Sequence, residues 1–139
     1  MLLTQLGMEV ATGSPAFDNP LASLGAPARV VLIAAEESSD ILRIRLHAIK
    51  KWIDLQREKS SGPTVSTESE FTALLEKNLL LVPGAGQSVA LVSNGARTEF
   101  FETLCQFFFG ARLIIIDSLR RLHDSKVYML YMVYMVHIV

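Results

Sequence analysis

Cysteine is nearly absent: Cys105 is the only one in 139 residues. No internal disulfide can form, so a packed core must hold the fold, as in chains kept in a reducing compartment. Its neighbours Phe101, Leu104, Phe107 and Phe108 lead us to expect a buried thiol. A surplus of charge is also lacking. Thirteen Lys and Arg stand against fourteen Asp and Glu, so no overall basic footprint calls for nucleic acid or an anionic membrane, and any such contact would be local. The opening apolar residues carry no positive charge and are interrupted by Glu9, which argues against a secretory signal and for a cytoplasmic protein. The apolar stretch Val127 to Val139 is shorter than the roughly 20 residues of a membrane-spanning helix. It reads as a buried strand or as an abrupt end to the reading frame, and no membrane contact is expected. His47 and His123 lack ligand spacing, which excludes a zinc site of the usual pattern. No G-x-x-x-x-G-K-[ST] string occurs either. Such a string cradles phosphates with backbone N–H groups, and its Lys and hydroxyl serve charge and magnesium. Gly84, Gly86 and Ser88 in PGAGQS are followed by no Lys and read as a turn.

What is present is ordinary globular text, 50% hydrophobic and 19% charged, of a length that suits one domain. Leu2, Leu6 and Val10 are four apart and predict one face of a short helix stopped at Gly13. Thr12 to Ala28 collects turn-forming residues. Arg29 to Ala35 is a short β-branched run of the kind buried on both faces of a parallel sheet. From Ser38 the period changes: Leu42, Leu46, Ile49 and Ile53 predict a helix with Asp40 in its first turn and Arg43, Lys50 and Lys51 on its polar face. Gln56 to Ser66 reads as loop. Thr67 and Glu70 then form a capping box before Phe71, Leu74 and Leu75. A second strand spans Leu79 to Val82, and Pro83 to Gly95 reads as loop. A helix carrying Phe100, Leu104, Phe107 and Phe108 ends at Gly110, a candidate left-handed cap. The third strand is Arg112 to Ile116. Alternating helices and strands predict an α/β fold, a doubly wound parallel sheet with flanking helices, whose ligands bind beyond the carboxyl ends of the strands.

Two strands run into acids at that edge: Ala35 into Glu36 and Glu37, and Ile116 into Asp117. In a nucleoside triphosphatase, one such acid holds magnesium through its water shell and another orients and deprotonates the attacking water. Asp117 and Glu36 have the placement for those roles. The plainer alternative is that Asp117 caps the next turn and that Glu36 and Glu37 are solvated. Arg45 could equally be a solvated or carboxylate-paired residue on a helix face.

Longer strings carry a resemblance. IAAEESSDILRIRLHAIKKW has an acidic pair after a strand and an R-L-H triplet on the next helix. GARLIIIDSLRRLHD has a strand ending in Asp, then Ser, Leu, Arg, Arg, an apolar residue and His. Both resemble the RepA-like branch of hexameric plasmid-replication helicases and RecA-like AAA-family ATPases, and LLTQLGMEVATG looks like the helix that follows a phosphate loop. The resemblance covers residues 1–124, a partial RecA-like core, and leaves 125–139 as an apolar tail without a match. It implies Glu36 as the catalytic glutamate, Asp117 as the Walker B aspartate holding magnesium through water, Ser118 beside it at the nucleotide, and Arg45 as an arginine near the nucleotide. It further implies ATP and Mg2+ as cofactors, a ring-shaped homo-oligomer and movement along single-stranded DNA. Because the phosphate loop and the family's later strands are not found, we expect a fragment truncated at both ends and inactive alone. The other expectations are a non-catalytic ATPase-like interaction protein or a gene remnant.

Overall fold

A computed structural model describes residues 2–15, 17, 25–59, 68–85, 90–94, 96–117 and 137–138, with the side chains of 56–59 and 137–138 left aside. The elements are α1 (Leu2–Thr12), β1 (Val30–Ala34), α2 (Ser39–Lys59), α3 (Glu68–Asn78), β2 (Leu79–Pro83), β3 (Val92–Ser93), β4 (Ala96–Arg97), α4 (Glu99–Phe108), β5 (Leu113–Asp117) and β6 (His137–Ile138). The fold is α/β, the partial RecA-like, doubly wound arrangement expected from the sequence.

β1 lies at the centre of a parallel trio ordered β2-β1-β5. All five of its residues are buried, which is why its sequence is a continuous apolar run rather than an alternation. Successive side chains point to opposite faces. Val31 and Ile33 join Leu104, Ala111 and Ile116 on the face covered by α4, while Val30 and Leu32 join Val10, Ala11, Leu113 and Ile115 on the face covered by α1 and α3. Each of the Val, Leu and Ile side chains among these contributes about 1.5–3 kcal/mol by leaving water. α2 packs in turn on α1 and α3 through Ile49, Ile53, Met8 and Phe71. The path from β1 to β2 thus uses one face and the path from β2 back across β1 to β5 uses the other. Reversing both direction and face preserves the hand of the crossover.

Two glycines sit at close approaches. Gly7 brings α1 near the sheet, and a Cβ there would stand 3.1 Å from Ile115 Cδ1, which would have to shift by a few tenths of an ångström. Gly13 ends α1 at φ +68, where a Cβ would meet Pro27 Cδ at 2.8 Å. Gly110 takes φ +74 after α4, as the sequence led us to expect. Thr98 caps α4, its hydroxyl accepting from Phe101 N at 3.2 Å.

Several expectations are corrected. Cys105 is exposed, because the inward face of α4 is Phe100, Leu104 and Phe108, four apart, and Cys105 is turned about 100° away from Leu104. Phe107 lies outside for the same reason. Leu2 is exposed although Leu6 and Val10 pack inward. Lys50, placed on the polar face of α2, is ion-paired there: its Nζ donates to Glu68 at 2.7 Å and Asp54 at 3.3 Å, tying α2 to α3. Pro83 belongs to β2, and the segment read as loop includes the hairpin β3-β4, with Asn94 at φ 51 in its turn. Thr67 of the capping box lies outside the described residues. In the tail, only β6 is described, pairing antiparallel with Leu113 and Ile114 of β5. Among the described residues no helix is long and apolar enough to cross a membrane.

Candidate functional site

The three parallel strands end level. Ala34 of β1 is in register with Pro83 of β2 on one side and Asp117 of β5 on the other, so Ala35, Glu36 and Glu37 project beyond the carboxyl edge of the sheet. A tight turn holds that projection. Glu37 N donates to Ala34 O at 3.3 Å, Gly84 N to Ala34 O at 2.9 Å, and Ala85 N to Glu37 O at 3.1 Å. On the other side, Ala35 N donates to Asp117 O at 2.6 Å. The turn carrying the acids is therefore pinned to both neighbouring strands by main-chain bonds, independently of what its side chains do.

Within this frame the two adjacent glutamates have different surroundings. Glu36 lies exposed in the turn. Glu37 folds back: its side chain is 19% exposed, and its Oε1 takes the guanidinium of Arg45, itself 29% exposed, in an ion pair. Glu37 Oε2 is buried without a hydrogen-bond partner. The alternative of two solvated acids therefore fails for Glu37, whereas Glu36 does face solvent. Arg45 is the carboxylate-paired residue of the two alternatives weighed for it. Asp117 is half-buried at the end of β5. The sheet thus brings Glu36, Glu37, Arg45 and Asp117 to one edge, whereas Ser118, Arg120, Arg121 and His123 lie outside the described residues.

Sequence reasoning singled out Glu36 and Arg45 but not Glu37 as Arg45's partner. Eight residues separate the two, and only the direction in which α2 leaves the turn brings them together. Gly84, read as a plain turn residue, is buried and donates to the end of β1. The strand-to-Gly junction was visible; its partner was not.

Three carboxylates and one guanidinium make this turn locally acidic. Carboxylate oxygens are the donors that a hard divalent cation takes. Among the described residues no group of three or more His, Cys, Asp or Glu could hold a metal ion. A separate groove of about 700 Å3 runs between α2, α3 and β2, lined by Leu42, Leu46, Leu75, Leu79 and Pro83 among others. None of the four edge residues lines it.

The family model described as AAA domain matches residues 1–131. No curated protein and no solved structure matches the chain. The match spans nearly the whole sequence, and the chain belongs to the AAA domain family.

Proposed function

Taking that membership as premise, we propose that the carboxyl edge of β1 and β5 is the acidic half of an ATP-hydrolysing site of the RepA-like helicase type. The observation that carries the reading is the register of Ala34 with Asp117, which puts an exposed glutamate and a half-buried aspartate on adjacent strand ends. In this reading Asp117 holds the water shell of magnesium, with Ser118 beside it, and Glu36 accepts the proton of the attacking water. The exposure of Glu36 leaves it accessible to that water. Glu37 keeps Arg45 at the same edge, where its charge can act on developing negative charge. Bound Mg2+ would supply charge neutralisation of the phosphates.

The strings around Glu36 and Asp117 support the narrower proposal of a plasmid-replication helicase acting as a ring on single-stranded DNA. Against activity of these residues alone stands the missing G-x-x-x-x-G-K-[ST] string in positions 1–139. That observation favours a second reading, a non-catalytic ATPase-like interaction protein. For the first reading, the chain is joined to a strand and phosphate loop of a RecA-like ATPase. Hydrolysis should then fall by about 100-fold or more in Glu36→Gln and in Asp117→Asn. Full activity in both variants would refute the assignment.

A further inference from the structure

α2 has two apolar stripes. The inner one, Leu42, Leu46, Ile49 and Ile53, packs on α1 and α3. The outer one consists of Ile41, Ile44, Ala48, Trp52 and Leu55, and the large members are 53%, 69%, 40% and 47% exposed. At 3.6 residues per turn these five fall within an arc of about 80°. Their spacings, three, four, four and three, are those of a helix–helix seam. Among the described residues this face has no other use: it is turned away from the sheet, and none of its residues lines the groove beside β2.

The pattern is also symmetric about Ala48. Ile41 and Leu55 lie seven residues to either side of it, Ile44 and Trp52 four. A second α2 laid antiparallel about a two-fold axis through Ala48 sets Ile44 against Trp52, Ile41 against Leu55, and Ala48 against Ala48. The smallest side chain of the stripe then lies at the point of closest approach. This is the self-complementarity of an isologous contact, in which one patch meets itself.

Area decides whether such a contact can hold. The exposed fractions of the four large residues amount to on the order of 400 Å2 per copy, which is the size of the largest apolar patch on a typical monomer. Two copies would bury at most about 800 Å2 of it, below the roughly 1,200 Å2 of standard specific interfaces, so the contact is a weak one. We propose that the outer face of α2 is a self-association surface, through which two copies of this chain form a weak antiparallel two-fold dimer.

The test uses the full chain in sedimentation velocity. Its mass should rise from 15.4 kDa toward twice that value over about 1–100 µM, with a blue shift of Trp52, the only tryptophan. Ile44→Lys should weaken association by about tenfold or more. Trp52→Glu should do the same, and mixing the two variants should restore pairing, because Lys at 44 of one copy meets Glu at 52 of the other. Should Trp52→Glu not fold, Ile41→Lys mixed with Leu55→Glu tests the same register. In a Cys105→Ser background, Ala48→Cys should form a disulfide-linked dimer under mild oxidation. A monomer at the highest concentration would overturn the proposal. So would association that Ile44→Lys leaves unchanged, since the contact would then lie elsewhere on the chain.

Discussion

Removing Arg45 should destabilise the protein more than neutralising Glu37, although both changes break the same ion pair. The reason is asymmetric burial. With Arg45→Met, a carboxylate that is 19% exposed keeps its charge, loses its cation and already has one buried oxygen without a partner. With Glu37→Gln, the guanidinium is the more exposed member and can turn to water. Contact between unit charges at an effective dielectric of about 20 is worth about 4 kcal/mol, but partial exposure screens much of it and desolvation offsets more. We therefore expect about 1.5–2.5 kcal/mol for Arg45→Met, about 0.5–1 for Glu37→Gln, and a double variant no worse than Arg45→Met alone. Urea unfolding of the four proteins gives each difference and the coupling energy. Additive single effects, or a Glu37→Gln cost equal to or above that of Arg45→Met, would refute the reasoning.

Exposure of Cys105 predicts that a thiol reagent labels it in the folded protein within about tenfold of the rate in the urea-unfolded chain; protection beyond about 100-fold would show a buried thiol instead. The α2–α3 tie predicts a pH dependence of defined sign. Glu68's carboxyl is held below its usual value, first by the hydrogen bond from Lys50 and then by that ammonium's charge. Lys50 is raised, chiefly by its hydrogen bond to Glu68. The stabilisation from Glu68 is therefore complete above about 4.3, its unfolded value, and lost as pH falls through the lower folded value, whereas that from Lys50 is complete below about 10.4 and lost at higher pH. Urea midpoints of wild type and Glu68→Gln should converge in acid and differ on the plateau; a gap that persists in acid refutes the tie.

The elements that were legible in the sequence are those whose period is set by burial on a fixed face. β1 is buried on both faces and reads as an unbroken run, and the inner stripe of α2 reads at helical spacing. Misreadings came where two interpretations share one pattern. In α4, FFETLCQFFF puts apolar residues on every face, so only packing against Val31 and Ile33 shows that Leu104 is inside and Cys105 outside. Similarly, nothing local tells Glu36 from Glu37. Their fates differ because the turn bonds of Ala34 and Ala35 aim one residue at solvent and the next at α2. Within the site, the placement of acids at strand ends was readable, since it needs only strand boundaries. The Glu37–Arg45 pair needed the path of the chain between them.

The two sides of the same turn differ in how their main-chain groups are used. On the β2 side the edge is closed, because Gly84 and Ala85 spend their N–H groups on Ala34 and Glu37. β5 is different: among the described residues its outer neighbour, β6, pairs only with Leu113 and Ile114, leaving Ile115 to Asp117 with no described strand partner on that side. If the proposed ATP site is right, a phosphate-holding segment that comes in along β5 would meet Asp117 first and then the turn bearing Glu36. An approach from β2 would find main-chain donors already committed.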